Sequence, residues 1–313
     1  MVHYQYNRRH TLKRVLVFGD AISDVYSDFS FKKECPDAPG VNAYVRTGRE
    51  VRAGGAANVA ANLALLAPDT RVDLIAALDT ELAYALKNAS QSRVDVTHSI
   101  LTDGVIEKER IYLDGKLSTR LDSKLKIDDW TAKLLLDKLD EYLYNHDPDL
   151  VVVSDYAAGA LTKRHLDCLP KWKMLIDTKL TELYPLDGSL VIKLNRSEWE
   201  TVVMKDGIPE SHTQCLIVTN GSFGAELTIR RETSQYSAKT HSLKIPGHNV
   251  PVVDVCGCGD TFLAGLAASL LTTDDPFTAM QFANAAAATV VSQPRTAVAN
   301  RADTLKLLGR NEQ

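Results

Sequence analysis

Between Asp254 and Thr261 the chain reads Asp-Val-Cys-Gly-Cys-Gly-Asp-Thr, and an apolar, alanine-rich run follows it to Leu271. Gly257 and Gly259 allow the backbone to turn where a side chain would clash, so successive amides can converge on the positive end of a helix expected to begin near Thr261. That arrangement is a socket for an anion. Asp260 does not suit a site built only to hold phosphate, because its carboxylate repels the ligand. It suits a base. Set between an acceptor hydroxyl and the terminal phosphoryl group of a nucleoside triphosphate, Asp260 can take the hydroxyl proton while the amides of Gly257, Cys258 and Gly259 stabilise phosphoryl charge. The same residues also make a turn with Asp260 as a helix cap.

Other stretches place polar groups where they could meet a ligand. Ala53-Gly-Gly-Ala-Ala-Asn58 sets Gly54 and Gly55 before an alanine-rich helix, allowing close backbone approach, and Asn58 offers donors and an acceptor. Asp20 and Asp24 follow the first apolar run; Asp24 is the one read as accepting sugar hydroxyls, while Asp20 equally closes a turn. Asn195-Arg-Ser-Glu198 follows another run and could order waters around magnesium carrying a triphosphate, with Glu198 as the carboxylate; a capping pair would look the same. Thr219-Asn-Gly221-Ser-Phe-Gly224 reads as a strand and a glycine-bearing turn suited to lie against a nucleotide, or as a simple hairpin. There is no Gly-x-x-x-x-Gly-Lys-Ser/Thr loop, and Gly257-Cys-Gly259 lacks the third glycine and early position of a dinucleotide fingerprint.

Short apolar runs at Arg14 to Asp20, Val72 to Ala76, Leu150 to Ser154, Met174 to Asp177, Leu190 to Leu194 and Cys215 to Thr219 read as buried parallel strands. They alternate with helical stretches at Ala56 to Leu66, Thr80 to Asn88, Asp129 to Tyr144, Ser197 to Val203, Thr261 to Leu271 and Phe277 to Val291. The alternation predicts an α/β fold, a mainly parallel sheet covered on both faces. Segments of about 26–52 and 96–126 break it with alternating polar and apolar residues, and are expected to form a small β lid over the carboxyl edge of the large sheet. An edge extension or a homodimer contact through the lid is compatible with the same pattern.

The chain has 313 residues, 45% hydrophobic and 24% charged, with a net charge of -4, which gives no electrostatic reason to expect nucleic acid. Residues 1–13 read as a solvated tail before one domain over 14–313. No stretch approaches the roughly 18 apolar residues of a membrane span. Five scattered cysteines, at 35, 168, 215, 256 and 258, argue against a disulfide framework and suit a reducing, cytoplasmic setting. Cys256 and Cys258 lack the neighbours of a zinc site and are expected to fill turn positions.

From Arg14 to Leu308 the chain resembles the ribokinase-like (PfkB) carbohydrate kinases. Gly54-Gly-Ala-Ala-Asn58 is similar to the family's N-terminal signature, Asp254 to Asp260 to its C-terminal one, and Asn195 with Glu198 to its Asn-x-x-Glu element. Gly19-Asp20 through Tyr26, Arg120-Leu-Asp122, Ser154 to Leu161 and Phe282 to Ala287 resemble the D-glycero-β-D-manno-heptose 7-phosphate kinases in particular. The resemblance implies a three-layer αβα sandwich, ATP with Mg2+, Asp260 as base, Gly257 to Gly259 as anion hole, and Asp24, Gly55 and Asn58 on the sugar. It also implies that Asn284 borders the nucleotide, that Lys108, Arg110 and Arg120 are candidates for a substrate phosphate, and that a monovalent cation could take part. The activity expected is phosphorylation of a sugar or sugar phosphate, heptose 7-phosphate at the anomeric hydroxyl leading. The chain departs from the subgroup at Ala158, where lysine is usual, at Cys256 and Cys258, and at Gln293 to Ala297, which lacks an expected glycine. A kinase for another sugar, or a homologue that binds sugar phosphate or nucleotide with weakened catalysis, are the alternatives.

Overall fold

A computed structural model describes residues 12–123, 126–162, 164–165, 168–169, 173–179, 189–206, 215–234 and 237–310. The tail expected over 1–13 falls almost wholly outside them. Nine strands form the large sheet: β1 (Lys13–Gly19), β4 (Thr70–Ile75), β6 (Val94–Asp95), β10 (Leu150–Asp155), β11 (Met174–Thr178), β12 (Ser189–Asn195), β13 (Cys215–Thr219), β14 (Ala225–Ser234) and β15 (Ser237–Ile245). Their order is β15-β14-β13-β12-β11-β10-β1-β4-β6, with every pair parallel except β13 with β14 and β14 with β15.

Alternation along the buried strands builds three layers. Val15 and Val17 of β1 join one apolar cluster, and Leu16 and Phe18 join another on the opposite face. On the first face lie α1 (Ala56–Leu66), α2 (Thr80–Ala89), α5 (Cys258–Leu270) and α6 (Pro276–Val291); on the second, α3 (Asp129–Asn145) supplies Leu135, Leu139 and Tyr142. Trp199 of α4 (Arg196–Asp206) packs on the second face too, and α7 (Arg301–Leu307) adds Leu305 to the first. This is the three-layer αβα sandwich expected from the sequence. Alanine and glycine in α5 and α6 bring those helices close: a Cβ built on Gly265 would stand 2.7 Å from Ala283 Cα.

A second sheet of four strands has the order β3-β2-β8-β9, from β2 (Ala21–Glu34), β3 (Asn42–Gly55), β8 (Ile106–Leu113) and β9 (Lys116–Asp122). Its first hairpin is longer than the expected 26–52 because β2 and β3 run uninterrupted down to the core, where Gly55 pairs with Ala21. The early part of the expected 96–126 segment does not join it: β7 (Ile100–Leu101) pairs with β5 (Ala77–Leu78) instead. The outer part of this sheet exposes Phe31, Val45, Leu117 and Leu121, the surface on which the expected pairing of two copies would rest. No helix among the described residues is long and apolar enough to cross a membrane.

Because α5 and α6 touch through Gly265 with no room for a branched side chain, Gly265→Val is expected to destabilise the fold by about 2 kcal/mol. Urea unfolding measures this; an unchanged midpoint would contradict the close packing.

Candidate active site

The parallel strands deliver polar residues to one edge. Gly19 of β1 stands beside Ser154 of β10, Ser154 beside Asp177 of β11, Asp177 beside Lys193 of β12, and Asn195 beside Thr219 of β13. In front of this row lies a cleft of about 800 Å3, and Cys258 and Gly259 at the start of α5 form part of its wall.

The turn into α5 begins at Gly257, whose φ of 76° lies in the left-handed region. A Cβ there would meet Asn58 Nδ2 at 2.7 Å and Thr296 Cγ2 at 2.9 Å, so glycine is required twice over. The helix starts at Cys258, three residues before the expected Thr261, because the turn is already helical at its second residue. Among the described residues the amides of Gly257, Gly259 and Asp260 have no protein acceptor, while that of Cys258 makes a long bond of 3.3 Å to Val255 O. First-turn amides left over in this way are the donors an anion can use.

Asp260 lies in that first turn, 3% exposed. Asn58 Nδ2 donates to one carboxylate oxygen at 3.0 Å and the Tyr156 hydroxyl to the other at 2.7 Å. Asn58 is itself braced, because Asn62 Nδ2 donates to its Oδ1 at 2.8 Å. Burial pushes the Asp260 carboxyl up to about 6, the bonds from Tyr156 and Asn58 working against that rise and the charges of Asp177 and Asp24 adding to it. Tyr156 is held well above the ordinary phenol range by burial and then by Asp260, so it remains a donor.

The residues read as sugar contacts converge beside this acid. Asp24 is buried, receiving Arg110 Nη1 at 2.9 Å and the Thr296 hydroxyl at 2.8 Å. Gly54 packs against it, where a Cβ would approach Asp24 Oδ2 to 2.6 Å, and Gly55 with φ of 56° crosses Asp20 O where a Cβ would come within 2.3 Å. Asp20 itself accepts from the amides of Tyr156, Ala158 and Ala160, so it fastens the loop after β10. Of the three cations read as holding a substrate phosphate, Arg110 is paired with Asp24 and Arg120 with Asp122 on its own strand, 54% exposed. Lys108 lies over the Tyr156 ring without a carboxylate partner among the described residues.

On the other side of the cleft, Asn195 and Glu198 form a reciprocal cap: the Asn195 amide donates to Glu198 Oε2 at 2.7 Å and the Glu198 amide to Asn195 Oδ1 at 2.9 Å. Both residues nevertheless line the cleft, together with Thr219, Gly221 and Asn284. Gly224 does not; it closes the turn between β13 and β14, its carbonyl accepting from Asn220 at 2.7 Å. The stretch is thus a hairpin turn that also borders the cleft. Asn284 Nδ2 donates to Pro246 O at 2.9 Å. No group of three or more His, Cys, Asp or Glu side chains among the described residues could hold a metal ion, and Cys256 and Cys258 are free thiols with pKa raised by burial to about 11 and about 12. Asp177 and Glu198 do face the cleft, which fits an ion that keeps most of its waters and rides on a triphosphate.

Sequence reasoning missed several residues here. Nothing in the sequence gives Tyr156, Asp177, Lys179 or Thr296 a role, since their partners lie far off in the chain. Lys193 had a usable signal, a lone charge in an apolar strand. It is buried, with Nζ 2.6 Å from Asp177 Oδ2; burial alone would lower its pKa, and Asp177 overrides this and holds it above the ordinary range. Arg295, within the segment that lacks an expected glycine, has φ of 63°, and its guanidinium pairs with Asp28 at 2.8 Å and with Glu50, tying the 293–297 loop to the second sheet. Its amide and that of Cys256 both donate to Asp254.

The comparisons agree with this geometry. A family model described as pfkB family carbohydrate kinase matches residues 12–303. A bifunctional protein HldE of Shewanella sp. (strain W3-18-1) is 31% identical over 312 residues, covering 94% of this chain and 63% of the relative. One from Vibrio vulnificus (strain YJ016) is 30% identical over 292 residues, covering 89% and 60%. The chain thus spans about three-fifths of the curated relatives it matches, and they accord with the resemblance to the heptose kinases. In fold it is similar to Arabidopsis thaliana ribokinase complexed with ribose and ATP, with a TM-score of 0.66 at 16% identity, covering 95% of this chain and 99% of that one. It is similar also to Escherichia coli phosphofructokinase-2, with a TM-score of 0.68 at 13% identity, covering 96% and 99%. The chain belongs to the pfkB family of carbohydrate kinases, and it is a sugar kinase.

Proposed function

We propose that this kinase transfers the terminal phosphoryl group of MgATP to the anomeric hydroxyl of heptose 7-phosphate, giving heptose 1,7-bisphosphate. The observation that carries the reading is the placement of Asp260, a buried carboxylate held by Asn58 and Tyr156 beside free first-turn amides at a cleft. The relatives named HldE and the motif resemblance support the heptose substrate.

In this reading Asp24 and Asn58 orient the sugar, with Gly54 and Gly55 letting the backbone come close. Asp260 accepts the proton of the attacking hydroxyl, and the amides of Gly257, Cys258 and Gly259 bind the phosphoryl oxygens. ATP lies along Thr219, Gly221 and Asn284, with Gly224 shaping the turn. Glu198 and Asp177 would hold waters around a magnesium ion carried by ATP, which would offset the charge of the triphosphate. The second sheet, tied down by Arg295 and Thr296, excludes water from the reacting groups as a lid. Arg120, exposed and away from the strand centre, has no part in this scheme.

Two measurements check it. Coupled ADP detection with heptose 7-phosphate, heptose, fructose 6-phosphate and ribose is expected to show the highest kcat/KM for heptose 7-phosphate, with phosphorus NMR locating the new ester at the anomeric carbon. Preference for another acceptor by more than about tenfold, about 1.4 kcal/mol of discrimination, would contradict the substrate. As the base must be ionised, kcat/KM is expected to fall as pH drops through about 6, the value to which burial raises Asp260. An acid limb centred in the ordinary carboxylate range, near about 4, would contradict the base.

A further inference from the structure

Two lysines lie over the ring of Tyr156 with no ion-paired carboxylate among the described residues. Lys108, on β8 of the second sheet, brings Nζ to 4.5 Å from the centroid of the Tyr156 ring; Lys179, just past β11 of the large sheet, brings its own to 4.2 Å. The hydroxyl of that ring is bonded to Asp260. Neighbouring cations are already committed: Arg110 to Asp24, Lys193 to Asp177, and Arg295 to Asp28 and Glu50. The two ammonium groups repel, and burial followed by the charge of Lys179 lowers the pKa of Lys108, the charges of Asp24, Asp260 and Asp122 working against that fall. An anion held between the two lysines would favour the charged form of both.

Position selects which anion. A phosphate at the far end of a seven-carbon sugar is many bonds from the reacting hydroxyl, whereas Tyr156 touches the base itself. Lys179 and Tyr156 also line the cleft with Gly259, on the nucleotide side. We propose that Lys108 and Lys179 are catalytic residues that hold the phosphoryl group while it is in transfer, one arriving on the lid and the other fixed at the sheet edge. The inference rests on the kinase reading. As the acceptor oxygen bonds to phosphorus, the bond from phosphorus to the bridging oxygen breaks and ADP leaves with that electron pair. The hydroxyl proton passes to Asp260, and both lysines keep their protons, offsetting charge on the equatorial oxygens. Assembly of the pair requires the lid to be down, so the phosphoryl group meets both charges only when acceptor is enclosed. Such an arrangement disfavours transfer to water.

The test compares the full chain with Lys108→Met, Lys179→Met and the two Lys→Arg variants. Each methionine variant is expected to lose kcat about 100-fold, as when one preorganised donor is removed, with acceptor KM and MgADP binding within about threefold, and arginine is expected to restore part of the loss. Calorimetry of MgADP with fluoroaluminate, a mimic of the phosphoryl group in flight, reads the same contact without turnover: the methionine variants lose the extra affinity that the wild-type chain shows. Unchanged kcat, a raised acceptor KM alone, or equal fluoroaluminate binding would overturn the assignment and leave the kinase reading standing. If the wild-type chain turns over no acceptor, the kinase reading fails and fluoroaluminate binding alone decides for or against the lysines.

Discussion

The structure depends on keeping one carboxylate ionisable where water barely reaches. Asp260 is placed by the glycine turn into α5 and held by two donors that come from different parts of the chain, Asn58 on α1 and Tyr156 after β10. Burial opposes its charge, and the donors partly restore it, leaving a group near the middle of the useful range for a base. The same turn that sets the acid also leaves amides free, so in the proposed mechanism proton removal and phosphoryl binding share one piece of backbone.

A contact network joins the second sheet to the core through the 293–297 loop. Thr296 donates its hydroxyl to Asp24, and its amide donates to the Tyr26 hydroxyl, while Arg52 Nη1 reaches the carbonyl of Thr296. Arg295 next to it stacks over Tyr26 with its guanidinium 5.2 Å from the ring centroid and pairs with Asp28 and Glu50 on the second sheet. A single loop therefore touches the lid and, through Asp254, the glycine turn. This loop lacks the glycine usual in the family, and Arg295 occupies a left-handed backbone conformation there, at a cost offset by its two ion pairs.

Much of the fold was legible because buried parallel strands are short continuous apolar runs; Leu150 to Ser154 and Cys215 to Thr219 appear within a residue of where they were expected. The β14 and β15 hairpin was not seen, since its antiparallel strands alternate apolar residues such as Ala225, Leu227 and Ile229 with Glu226, Thr228 and Arg230 rather than forming a continuous apolar run. Glycine motifs located the tight turn into α5 because steric exclusion of a side chain leaves a mark in the sequence. Side-chain pairings left none: nothing in the spacing of Asp24 and Arg110 says that they meet, and the capping bonds between Asn195 and Glu198 look the same on paper as a pair facing a ligand. Tyr156 escaped for the same reason, its partner being 104 positions away.

The most direct measurement of the central claim is rapid-quench single turnover with Asp260→Asn, both substrates preloaded at saturating concentration. The account predicts that the chemical step slows by about 1000-fold while the dissociation constants of MgATP and of the acceptor stay within about threefold of wild type. A chemical step of wild-type speed in that variant would show that the proton leaves by another route, and would contradict the role given to this carboxylate.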